Sequence, residues 1–88
     1  MAYVYILRSR NNNHLYVGST NDLGRRLAEH ERGHSRATRA LIPFECVFYE
    51  KFQTLLEARR VEAHLKRLKS RAVLERIIKD GIIKFMRE

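Results

Sequence analysis

Residues 14 to 30 read HLYVGSTNDLGRRLAEH, and they change character halfway. The first part, HLYVGS, is rich in strand-forming residues. Past Gly18, Asn21 or Asp22 can cap a helix through a side-chain oxygen. Leu23, Leu27 and His30 then recur on one helical face until Gly33 ends the element. A strand therefore runs almost directly into a short basic helix that carries Arg25 and Arg26.

Working back, YVYILRS at residues 3 to 9 is a second strand, and the polar run Arg10 to Asn13 supplies a turn, so the two strands form a hairpin. Parity fixes more than the pairing. Residues opposite one another share a sheet face, so Tyr5 and Tyr16 can share one only if the loop holds an even number of residues. A four-residue loop pairs Leu7 with Tyr16 and Tyr5 with Gly18. The tyrosines then sit diagonally on one face, and Gly18 leaves the space beside Tyr5 open.

Working forward, residues 34 to 43 are a basic loop with room for one helical turn, stopped at Pro43. FECVFYEKF is a third strand. Thr54 and Glu57 form a capping-box pattern that opens a long helix to about Lys69. Its core stripe is Ala58, Val61, Leu65 and Leu68, widened by Leu55. Ser70 caps a final helix, RAVLERIIKD, which ends at Gly81 and leaves an apolar and basic tail. The order is ββαβαα, an α+β chain.

Eighty-eight residues, 44% apolar and 32% charged, suit one globular domain covering 1–88. Eighteen Lys and Arg against ten Asp and Glu leave a net charge of +8, which draws polyanions, nucleic acid first and anionic membrane second. No apolar run approaches the roughly 20 residues that span a bilayer, and no signal-peptide core is present, so the expected location is cytoplasmic. A single cysteine, Cys46, rules out an internal disulfide and reads as a small hydrophobe in a strand.

Several side chains admit two readings. Arg26 falls beside the apolar stripe of its helix while Arg25 points away from it, so the two cannot do the same job. Arg26 either belongs to a solvated face or forks onto a phosphate over the sheet edge. Glu62 lies within the apolar arc of the long helix. It is either an ion-pair partner of Lys66 at i+4, or a ligand for a hard divalent ion whose shell is completed by water and substrate phosphate. His30 reads as a satisfied core histidine, and His34, in the basic loop, is freer to meet substrate. Zinc spacing is absent. The run KRLKSR, with Lys66 and Lys69, and the loop arginines Arg36 and Arg39 either follow a phosphate backbone or face solvent.

Taken together, YVYIL at 3 to 7, YVGST at 16 to 20, the helix DLGRRLAEH and Glu62 resemble the GIY-YIG nuclease family over residues 3 to about 70, in particular its small stand-alone bacterial members. The resemblance implies a small three-stranded, mainly antiparallel sheet flanked by helices. It places Tyr5 and Tyr16 at the tyrosines of the two motifs, Gly18 at the glycine, Arg26 at the helix arginine and Glu62 at the metal-binding glutamate. It further implies that a tyrosine activates the attacking water, while arginine and a Mg²⁺ or Mn²⁺ ion stabilise the charged transition state. Tyr3 stands where larger members have glycine, and the loop after the first helix offers His34, Arg36 and Arg39 as catalytic assistants. The expectation is a metal-dependent endonuclease acting on DNA, at branched, nicked or damaged sites and in repair. The alternatives are a nucleic-acid-binding module on the same fold and a basic protein-interaction domain with a protein partner.

Overall fold

The computed structural model describes residues 1–83, so most of the apolar and basic tail lies outside the described residues. The elements follow in the order β1 (Ala2–Ser9), β2 (Leu15–Thr20), α1 (Leu23–Glu31), α2 (Arg36–Arg39), β3 (Phe44–Phe52), α3 (Leu55–Leu68) and α4 (Arg71–Asp80). The three strands form one antiparallel sheet in the order β2-β1-β3, with β1 in the centre.

The hairpin has the expected register: Tyr5 faces Gly18 and Leu7 faces Tyr16. Ser9 N donates to His14 O at 2.9 Å and closes the four-residue loop, in which Asn13 adopts φ 60. Asn is among the residues that accept a left-handed conformation most readily. Between β1 and β3 the register slips once, after Ile6, so that Phe48 and Cys46 face neighbouring residues of β1. This bulge leaves Val47 unpaired and bends the edge strand.

Side-chain caps start three helices. Asp22 accepts from Arg25 N, Thr54 from Glu57 N and Ser70 from Val73 N, each satisfying one backbone donor that a first helical turn leaves free. Glu57 reaches back to the backbone N–H of Gln53, one residue before the cap. Gly81, at φ 74, ends α4. The chain beyond it turns inward: Ile83 is fully buried, and its N–H donates to the Glu50 carboxylate at 3.0 Å.

Because side chains alternate along β1, its two faces differ. Ala2, Val4 and Ile6, with Val17 and Phe48, pack against Ala58, Val61 and Leu65 of α3 and Ile77 of α4. Leu68 departs from the predicted stripe and is 43% exposed, because the helix ends there and Lys69 turns left-handed at φ 48. The opposite face carries Tyr5, Leu7 and Ser9 and meets His30 of α1, Thr38 of α2 and Phe44 of β3. On β2, an edge strand, Tyr16 meets His30 of α1 on one face and Ser19 meets Glu62 of α3 on the other. The candidate residues Tyr5, Tyr16, Gly18, Arg26 and Glu62 gather at this edge.

Candidate active site

Tyr5, Tyr16, Gly18, Arg26 and Glu62 line one cleft of about 500 Å³ at the β2 edge. Three elements bring them there. The hairpin sets Tyr5 and Tyr16 diagonally on one face, and both rings meet His30 edge-on, with centroids 5.7 Å apart in each case. Helix α1 supplies Arg26 from the same side. Helix α3 supplies Glu62 from the other side, where the Ser19 hydroxyl, projecting to that face, donates to its carboxylate.

Gly18 makes the close approach possible, although the space beside Tyr5 is not open. A Cβ at position 18 would lie against the Tyr5 hydroxyl oxygen and 2.5 Å from its ring carbon Cζ. The phenol itself fills that space, because Tyr5 leans across Gly18 to reach His30.

His30 is fully buried and bonded at both ring nitrogens: Nε2 to the Tyr5 hydroxyl at 2.8 Å and Nδ1 to Thr38 Oγ1 at 2.6 Å. Thr38 gives its own proton to Ser35 O, which leaves its lone pairs to accept from His30 Nδ1–H. The Thr38–Ser35 contact is long, at 3.5 Å, and it favours the tautomer in which Nε2 accepts from Tyr5. Burial pushes the Tyr5 hydroxyl up to about 12, against the pull of the Arg26 guanidinium beside it. Burial and the Arg26 charge both lower His30 from its ordinary range. Tyr5 is a phenol and His30 a neutral imidazole at neutral pH.

Arg26 is half-buried and donates to Glu29 at 3.0 Å. That contact, foremost, raises the guanidinium further, and the same contact lowers the Glu29 carboxyl. Arg25 matches the helical wheel in its exposure but not in its reach. It is exposed, yet it lines the same cleft, because a helical wheel fixes the direction of Cβ and not the reach of a long side chain. Glu62 keeps both of its alternatives. Lys66 pairs with its second carboxylate oxygen at 2.7 Å and stands over the Tyr16 ring, 5.2 Å from the centroid.

The remaining candidates lie elsewhere. His34, Arg36 and Arg39 are exposed on the loop and α2, outside the cleft lining, with Arg39 Nε donating to Gly33 O at 3.1 Å. Lys69 stands beyond Lys66, at the end of α3. Sequence reasoning read His30 as a satisfied core histidine, which it is, without its place beside the tyrosines, and it passed over Ser19, Glu29 and Arg59, which line the cleft. One signal for His30 was available: it follows Arg26 by one helical turn on the face that meets the tyrosines.

Two strand-borne tyrosines, helix arginines and two glutamates, Glu29 and Glu62, line this one polar cleft. Residues 1–76 match the family model described as the GIY-YIG catalytic domain, so the chain belongs to the GIY-YIG family, a family of nucleases. It is 45% identical to a UPF0213 protein of Oceanobacillus iheyensis over 67 residues, which cover 75% of this chain and 77% of that one. A UPF0213 protein of Natronomonas pharaonis is 39% identical over 79 residues, 89% of this chain and 91% of the relative. Among solved structures, the solution NMR structure of a UPF0213 protein from Bacillus halodurans superposes with a TM-score of 0.59 at 33% identity, over 97% of this chain and 90% of that one. The three-stranded antiparallel α+β fold is thus shared with a small protein of the same kind. Among the described residues, no helix is long and apolar enough to cross a membrane.

Proposed function

We propose that this protein is a divalent-metal-dependent endonuclease that hydrolyses phosphodiester bonds in DNA. The observation that carries the reading is the convergence of Tyr5, Tyr16, Arg26 and Glu62 on one polar cleft at an open sheet edge. Its precedent is the nuclease family to which the chain belongs.

The residues fit a hard cation. Among the described residues no three His, Cys, Asp or Glu side chains are grouped to hold a metal by themselves. Of the two carboxylates in the cleft, Glu29 is held by Arg26, which leaves Glu62, oriented by the Ser19 hydroxyl, with the hydroxyl and amide oxygens of Thr20 and Asn21 in the same lining. A lone carboxylate suits Mg²⁺ or Mn²⁺ when water and substrate phosphate complete the shell. Lys66, about half exposed, is the cation that would have to move aside. When bound, such an ion supplies Lewis acidity and neutralises charge on the phosphate.

The chain's own groups divide the rest of the work. Arg26 forks onto the scissile phosphate and exchanges Glu29 for it, a planar bidentate contact that gains as charge develops. Tyr5, its proton committed to His30, holds that guanidinium in place and stays neutral. Tyr16, only half-buried, is left as the tyrosine that meets the attacking water and orients it. Gly18 lets these groups come within reach of the backbone, and Lys66, Lys69, Arg36 and Arg39 extend the basic surface along the strand. His34, exposed near this surface, is a phosphate contact before it is a proton carrier.

Nicking of supercoiled plasmid with Mg²⁺ or Mn²⁺, and its loss in EDTA, tests the reading. Glu62→Gln is expected to abolish nicking with the melting temperature nearly unchanged, because the amide is a poor ligand for a hard cation while volume and polarity persist. A mere ion pair with Lys66 is worth about 0.3–0.5 kcal/mol, so equal activity in the two proteins would overturn the metal-ligand role.

A further inference from the structure

A second hollow of about 520 Å³ adjoins the cleft on the far side of Tyr16. It differs from the cleft in chemistry. Its floor is hydrocarbon from three elements: Leu15 of β2, Leu65 of α3 and Leu74 of α4. Lys66 and Lys69 stand on its rim, and Tyr16 is a wall common to both hollows. The Lys66–Glu62 ion pair joins them too, because Glu62 lines the cleft and its partner lines the hollow.

We propose that this hollow receives one unstacked nucleobase of the strand whose phosphate lies in the cleft, so that the substrate class is DNA with an unpaired or extruded nucleotide beside the scissile bond. The inference rests on the nuclease reading and adds a substrate class to it. An apolar floor with an aromatic wall gains by covering the flat face of a base, as single-strand-binding surfaces do. The cations on the rim suit the phosphates on either side of that base. Among the described residues Lys69 has no ion-pair partner, so its charge is available to a phosphate. The volume falls in the range of about 300–1,000 Å³ typical of small-molecule sites. Drawing a base out of a duplex costs least where it is already unpaired, which makes the hollow a selector for such sites.

The test compares two hairpin DNAs in EDTA at fixed low salt: one with a single extrahelical thymidine, the other with an abasic tetrahydrofuran unit at that position. Wild type is expected to bind the thymidine hairpin about five- to a hundredfold more tightly, the range of one base-stacking contact. Leu74→Trp, which fills the hollow, should erase that preference and leave affinity for the abasic hairpin unchanged. A measurement on wild type does not depend on that variant folding: 5-iododeoxyuridine as the extrahelical base, irradiated in the complex, should crosslink to residues 14–17 or 65–74. Equal affinity for the two hairpins, or a crosslink mapping elsewhere, overturns the base site while plasmid nicking stands. Absence of salt-dependent binding to either hairpin, together with absence of nicking, overturns the nuclease reading and the base site with it.

Discussion

The two faces of the sheet are buried by opposite chemistry. Under α3 and α4, Ala2, Val4 and Ile6 pack into a cluster of hydrocarbon side chains, alongside the Glu50–Ile83 N and Arg8–Glu75 contacts. Under α1 and α2, the fully buried set includes Tyr5, Ser9, His30 and Thr38. A buried polar group left unpaired costs about 1–3 kcal/mol, so the second face holds together only because its hydroxyls and imidazole satisfy one another. The first face stabilises by area and tolerates small shifts. The second stabilises by direction and tolerates few. Catalysis needs direction, and the cleft opens where the second face reaches the edge strand.

The contrast breaks most sharply with a pair of substitutions. Arg26→Ala should lower the nicking rate about a hundred- to a thousandfold with little change in melting, the usual cost of one transition-state donor. Ile6→Ala, on the hydrocarbon face, should do the reverse. It is expected to cost about 2–5 kcal/mol in denaturant unfolding and leave the rate of the folded fraction near normal. Arg25→Ala, at the cleft mouth, should lie much nearer wild type in rate. Equal losses from the two arginines would mean that cleft charge matters more than the seat beside Tyr5.

Tyr5→Phe comes next in size. It keeps the ring that covers Gly18 but leaves His30 Nε2 buried without its donor, so about 1–3 kcal/mol of stability should go together with part of the rate. An unchanged melting temperature would show that water replaces the hydroxyl.

A pH titration of stability sharpens the comparison further. Burial lowers His30 in the folded state below its ordinary 6.5, so the unfolded chain binds more protons at mildly acidic pH. The contribution of neutral His30 is therefore complete above 6.5 and is lost as pH falls from there through the lowered folded value. Melting temperature should drop over that window in wild type, and His30→Gln should flatten the curve. A drop of equal size in His30→Gln would assign the acid sensitivity to other groups.

The smallest effect concerns the exposed loop. Arg36→Ala and Arg39→Ala should each reduce the slope of log affinity against log salt by about one unit if each touches a phosphate. An unchanged slope would take α2 off the binding surface.

Much of this was legible in the sequence because it depends on local rules. Loop parity fixed the pairing of Tyr5 with Gly18, and side-chain caps marked the starts of α1, α3 and α4. What escaped depends on contacts distant in the chain. His30 reads as a core residue on a wheel, and it is one, yet its partners come from β1 and from the four-residue α2. No periodicity places Thr38 against an imidazole. Leu68 escaped for a related reason: a repeat shows that a face continues, but the left-handed turn at Lys69 decides where it stops. The dual position of Lys66, beside Glu62 and over Tyr16, likewise needs α3 and β2 to be docked first.

The contact between Tyr5 and Gly18 also bears on descent. Any side chain at position 18 drives the phenol from its seat, whereas position 5 can change without disturbing Gly18. A lineage can therefore give up the tyrosine first and the glycine afterwards, but hardly in the other order. Gly18 gone while Tyr5 persists should be the rare combination among descendants of this chain, and its frequency can be counted in genomes without purifying any protein.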